Sequence, residues 1–133
     1  MIKKLLGIQP PKARSGCPVA CVLDLLGAKW TLIVVRDLVL GKTRYQEFLR
    51  SPEKIPTNIL AERLKRLESL KIVTREQYQD NPPRSEYRLT AKGTGLRPVL
   101  KAMIDWAKKY LGEFPLLKEI PAIMARNKAL KEK

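Results

Sequence analysis

Between Pro56 and Thr90 the hydrophobic pattern changes its period once, and no other feature limits the possible folds as strongly. Leu60, Leu64 and Leu67 recur at helical spacing, so a helix from Pro56 to about Lys71 has one leucine stripe to bury. Directly after it, Ile72–Gln79 and Ser85–Thr90 are rich in β-formers. The intervening Asp80-Asn81-Pro82-Pro83-Arg84 is a turn, because its two prolines cannot donate to a strand ladder. A long helix therefore runs straight into a two-stranded hairpin with a projecting tip.

Caps and breakers divide the rest. A helix opens at Pro18 and runs to about Leu26, with Val19, Val22, Leu23 and Leu26 as its buried face. A second spans about Lys29 to Val39, with Trp30, Ile33, Val34 and Leu38 inward and Gly41 as its stop. Thr43 and Gln46 have capping-box spacing and open a short helix to Leu49 or Arg50, burying Tyr45, Phe48 and Leu49. Thr90 caps a helix from Ala91 to Leu111, lined by Leu96, Leu100, Met103, Ala107 and Tyr110 and kinked at Pro98. A tail helix follows Gly112 and is interrupted at Pro121. The organisation expected is an N-terminal extension over 1–16, one domain over 17–111, and a tail helix over 112–133 that serves as a dimer contact.

Composition removes most chemistry. The 133 residues contain no histidine and two cysteines, which excludes imidazole acid–base catalysis, histidine-activated nucleophiles and a four-ligand zinc site. No enzyme activity, metal or cofactor is expected. No apolar run reaches the roughly 20 residues of a membrane span. The apolar start at Met1–Ile8 ends too early for a signal peptide, so a cytoplasmic protein without a membrane partner is expected. What remains is charge: Lys and Arg number 27 against 13 Asp and Glu, a net of +14. The excess is even, at +4 over 1–41, +5 over 42–92 and +5 over 93–133. Such a field favours polyanions, whose condensed counterions are released on binding.

Three short helices, a longer one and a hairpin form the order of a winged helix-turn-helix, an α+β fold that is mostly α, with a two-stranded wing and extra terminal helices for dimerisation. A helix fits the B-DNA major groove, and a hairpin beside it reaches the adjacent backbone or minor groove. On a helical wheel Thr57, Asn58, Ala61, Glu62 and Lys65 point away from the leucine stripe, with Arg66 on the flank. Thr57, Asn58 and Ala61 are candidates for base edges, and Lys65 and Arg66 for phosphates. Thr43 and Arg44 begin the preceding helix, whose free amides attract anions. At the tip Arg84 is a candidate to enter a minor groove or meet a phosphate, with Gln79 and Asn81 assisting, and a solvent-exposed turn is the competing reading. Arg63 lies near the apolar stripe, where a pair with an acid such as Asp37 competes with a DNA contact. A solvated charged face is the plainer reading of the helix, and a basic module that binds RNA or DNA without sequence preference is the alternative function.

With these residues in view the chain resembles the HxlR family of bacterial and archaeal transcription regulators, within the MarR-like winged-helix superfamily. The resemblance rests on Cys17-Pro18-Val19, on 25–32 (LLGAKWTL), on Arg36-Asp37-Leu38 and on Tyr45-Gln46-Glu47-Phe48. It continues through 59–68 (ILAERLKRLE), 83–90 (PRSEYRLT), Gly93 and Trp106, covering roughly 17–110. Pro56-Thr57 departs from the Ser-Pro start that the family often has. The resemblance implies a homodimer on an inverted repeat in a promoter, with terminal helices at the dimer contact.

Cys17 precedes Pro18 at a helix start, with Lys12 and Arg14 just upstream, and positive potential there favours a thiolate. In several HxlR-type regulators a cysteine of this Cys-Pro motif senses oxidants, quinones or aldehydes, which makes Cys17 a candidate redox sensor for a small-molecule oxidant or electrophile. A packed cap is the competing reading. Cys21, one turn on, is read as a small core residue.

Overall fold

The structure is a computed structural model that describes residues 16–132. Its elements are α1 (Pro18–Leu26), α2 (Thr31–Val39), α3 (Tyr45–Leu49), α4 (Thr57–Ser69), β1 (Val73–Asp80), β2 (Pro83–Leu89), α5 (Ala91–Thr94), α6 (Arg97–Leu111) and α7 (Leu116–Glu132). This is the mostly helical α+β winged arrangement. Residues 1–15, including Lys12 and Arg14, lie outside the described residues.

The leucine stripe closes the core. Leu60, Leu64 and Leu67 of α4 are fully buried with Val34 and Val35 of α2 and Phe48 of α3. Each such side chain contributes about 1.5–3 kcal/mol of transfer free energy. Leu70 is the C-cap of α4, and Lys71 takes a left-handed φ of 61° so that the Ile72 amide returns to the Leu67 carbonyl at 3.0 Å. That reversal feeds β1. The two strands pair antiparallel from Val73 opposite Leu89 to Gln77 opposite Ser85. The register then slips across Tyr78 and resumes with Gln79 opposite Arg84 and Asp80 opposite Pro83. Strand β2 thus begins two residues before the expected Ser85. The first position of a strand tolerates proline, whose missing donor is not needed there.

Several local expectations change. Of the four residues expected to bury α1, only Leu26 is buried; Val19, Val22 and Leu23 are exposed. Leu25 and Leu26 anchor the helix, with Cys21 packed against the core beside them. Helix α2 starts at Thr31, because Trp30 takes a left-handed φ of 84°. The single helix expected over 91–111 is two, α5 and α6, separated by Gly95 and Leu96. Pro98 therefore falls in the first turn of α6 and kinks nothing, since an N–H there has no helical acceptor. Pro121 does not interrupt the tail, which stays helical through it. Within α6 no residue is buried, and Met103 and Tyr110 are exposed where a core face was expected. Among the described residues no single helix is long and apolar enough to cross a membrane.

Candidate nucleic-acid interface

Helices α3 and α4 and the hairpin are held in one geometry by polar contacts whose partners are far apart in sequence. The Tyr45 hydroxyl donates to the Thr57 carbonyl at 2.6 Å and fixes the start of α4 against α3. The connecting loop is tied to α2 by an ionic chain. Arg36 reaches Glu53 through two bonds of 2.6 and 2.9 Å and Asp37 at 2.9 Å. Asp37 is buried, accepts from the Ser51 hydroxyl and faces Lys42 at 3.7 Å. A buried carboxylate persists only with such partners. The Arg36 hydrogen bonds hold the Glu53 carboxyl below its ordinary range, and the same bonds raise Arg36 further.

The hairpin is seated on α3 by Glu86. An antiparallel bridge joins Arg44 to Glu86, and the Tyr87 amide donates to the Thr43 carbonyl at 2.8 Å. The half-buried Glu86 carboxylate accepts from Thr43 Oγ1 at 3.3 Å and Arg44 Nε at 3.2 Å, with Arg88 at 3.6 Å. Arg44 also lies over the Tyr78 ring, 4.1 Å from its centroid. The register slip at Tyr78 thus belongs to the seating of the wing. Burial among these neighbours raises the Tyr87 phenol above its ordinary value.

Against this frame the expected site residues separate. Thr57, Asn58, Ala61, Glu62 and Lys65 are all exposed on the outer side of α4. The helix has no side-chain cap and no acid in its first turn, so its leading amides and dipole remain available to an anion. Pro56 is the N-cap rather than the first helical residue, with extended backbone. Asn81 and Arg84 are exposed at the tip, while Gln79 is half-buried and donates to the Pro82 carbonyl at 3.2 Å, stiffening the turn. A cleft of about 550 Å³ between α3 and the wing is lined by Arg44, Arg50 and Arg84.

Three expectations are corrected. Thr43 neither caps nor is open to a phosphate: it is buried and its hydroxyl is committed to the Glu86 carboxylate. The cap is instead Glu47, which accepts from the amides of Thr43 and Arg44 at 2.9 Å each, so those amides are not free for phosphate. Arg66 turns toward α1, with Nη2 3.4 Å from the Asp24 carbonyl. Arg63 is mostly covered, but its partners are the Lys29 carbonyl at 3.1 Å and Glu62 at 2.8 Å, not Asp37. Sequence reasoning missed Glu86, Tyr78 and Arg50. With Arg44 as the N-cap, the box closes at Glu47 rather than Gln46.

Cys17 is the N-cap of α1, exposed, and its side chain makes no capping bond. Cys21 is half-buried against the core.

An exposed helix face beside a cation-lined cleft and a seated wing defines the chain as a winged helix-turn-helix of DNA-binding type. Comparison with known proteins agrees. Residues 25–114 match the family described as HxlR-like helix-turn-helix, and the chain belongs to it. It is 42% identical over 95 residues to the HTH-type transcriptional regulator YdeP of Bacillus subtilis (strain 168), covering 71% of this chain and 74% of that protein. The HTH-type transcriptional regulator YodB of the same organism is 36% identical, over 71% of this chain and 85% of its own length. The solved structure described as the redox regulator HypR in its reduced form superposes with a TM-score of 0.66 at 35% identity, covering 77% of this chain and 99% of that one. The chain is a helix-turn-helix transcriptional regulator.

Proposed function

We propose that this regulator binds duplex DNA sequence-specifically, as a homodimer on an inverted-repeat promoter site. The observation that carries this reading is the outer side of α4: Asn58, Ala61, Glu62 and Lys65 stay exposed while the neighbouring wing is held in place by Glu86. In this reading Thr57, Asn58 and Ala61 face base edges in the major groove. Asn58 offers a donor and an acceptor to adenine, and Ala61 a methyl to thymine. Lys65 meets phosphate, and Glu62 accepts from a cytosine amino group or excludes other bases. Arg84 and Asn81 reach the flanking backbone or minor groove, and Arg44 lines the cleft between. Arg66 has a lesser part, because it is turned to α1.

Homodimerisation is supported by apolar surface that this chain alone leaves uncovered. Val19 and Leu23 of α1 are 66% and 60% exposed, and Trp106 and Tyr110 of α6 are 58% and 61% exposed. A second copy related by a two-fold axis buries such a face and presents two α4 helices to successive major-groove turns. Cys17 is the thiol through which an oxidant or electrophile would act, a reading supported by its exposure and by the description of HypR as a redox regulator. If alkylation of native protein leaves DNA affinity unchanged, that role is removed.

The experiment is selection of bound fragments from a random duplex pool by the purified chain. The expected product is a palindromic site preferred by about 10³-fold or more over random DNA at physiological salt. A ratio near one would favour the alternative, a basic module that binds DNA or RNA without sequence preference.

A further inference from the structure

Helix α7 extends beyond the matched residues 25–114, and what it does locally is visible. Asn127 is buried, and its Nδ2 donates to the Leu40 carbonyl at 2.8 Å, latching the tail to the end of α2. The latch walls off a pocket of about 410 Å³ between α7 and the α2–α3 region. Leu40, Leu116 and Ile123 supply an aliphatic wall. The charged lining comprises Arg36, Lys42, Arg50 and Arg126 against Asp37 and Glu47, an excess of two cations. Arg36 and Lys42 are occupied by Asp37, Glu53 and Ser51, and Glu47 by the backbone amides. Arg50 and Arg126 have no carboxylate partner among the described residues.

We infer that this pocket takes a small organic acid, its carboxylate between Arg50 and Arg126 and its aliphatic body against Leu40, Leu116 and Ile123. The size suits such a ligand, and a carboxylate supplies the charge that the lining lacks. No residue of α1 or α6 lines the pocket, so a second copy seated on that apolar face leaves it open. Its walls include Asp37 and Glu47, which set the α3–α4 loop and the start of α3, so occupancy is read by the helix-turn-helix. That regulatory part rests on the DNA-binding function proposed above.

The test is calorimetric titration of the full chain with octanoate, without DNA, with octan-1-ol as the uncharged control. The expected result is one saturable site per chain for octanoate and binding at least tenfold weaker for the alcohol. Arg50→Ala and Arg126→Ala, both at exposed positions and checked by circular dichroism, are each expected to weaken octanoate tenfold or more. Absence of saturable binding, equal binding of the alcohol, or unaltered affinity in both variants overturns the site. Saturating octanoate is then expected to change affinity for the selected DNA by fivefold or more, the lower range of allosteric coupling. Octanoate binding without that change overturns the regulatory part alone. Failure to select any DNA site overturns the proposed function and leaves the isotherm standing.

Discussion

Arg44 and Glu86, 42 positions apart, meet twice: their backbones form an antiparallel bridge, and Arg44 Nε lies 3.2 Å from the Glu86 carboxylate. One residue of the α2–α3 connection thereby adds a single bridge to the edge of the two-stranded wing. The wing's position relative to α4 is set by this contact as much as by the turn that follows α4.

Glu86→Ala removes the acceptor of the buried Thr43 hydroxyl and releases Arg44. Leaving a buried polar group unpaired costs about 1–3 kcal/mol. Urea unfolding is expected to show a loss in that range. Thr43→Val in the Glu86→Ala background should recover part of it, since the orphaned hydroxyl is then gone.

Gly93 is buried where α5 meets the end of α4. A β-carbon there would lie 2.2 Å from the Ile72 carbonyl oxygen and 2.8 Å from Leu89 Cδ2. That carbonyl already accepts from the Thr90 amide at 3.0 Å, while the Thr90 hydroxyl bonds the Lys71 carbonyl at 2.7 Å and accepts from the Gly93 amide. With backbone on the clashing side, relief is costly. Gly93→Ala is expected to lower stability by roughly 1–3 kcal/mol, readable as a fall in melting temperature.

Thr31 is 1% exposed, and its hydroxyl has no hydrogen-bond partner among the described residues. Valine has nearly the same shape without the unsatisfied oxygen. Thr31→Val is expected to raise unfolding free energy by about 1 kcal/mol, by the same desolvation reasoning. An unchanged or lower denaturation midpoint would show that the hydroxyl is satisfied in solution.

Glu53 is held below its ordinary carboxyl range, first by its hydrogen bonds from Arg36. A depressed folded-state value means that the contribution is complete above the unfolded-state pKa of about 4.3 and is lost as pH falls through the lower folded value. Glu53→Gln should therefore flatten the acid limb of the stability–pH profile while leaving the slope between pH 6 and 8 unchanged. Superimposable acid limbs for variant and parent would sink this assignment.

Lys65→Ala and Asn58→Ala separate positioning from readout on α4. Loss of a phosphate contact should weaken binding to all sequences and reduce the magnitude of the salt slope by about 1. Loss of a base contact should relax preference at one position of the half-site, by about 1–3 kcal/mol. If Asn58→Ala leaves selectivity untouched, the helix is oriented differently on DNA.

Element order was legible in the residues because it depends on local periods. The leucine spacing of α4, the β-rich runs around Pro82-Pro83 and the exposed set Thr57, Asn58, Ala61, Glu62 and Lys65 all follow from counting along one helix or strand. Proline needed more than counting. Pro98 and Pro121 break nothing, because their effect depends on where each helix begins and whether tertiary contacts hold it.

Partners across the chain were not legible. Whether Thr43 faces solvent or Glu86, and whether Arg66 reaches outward or to Asp24, depends on how elements pack, which no local period encodes. The same holds for burial: the apolar faces of α1 and α6 carry a core pattern yet lie exposed, since a hydrophobic stripe specifies that it be covered without specifying by what. The amino-acid order thus determined which elements form and which sides of them are apolar or charged. Folding decided which charges are spent internally, as at Asp37, Glu47 and Glu86, and which remain for a ligand, because electrostatic pairing acts over distances of a few ångströms in space and not along the chain.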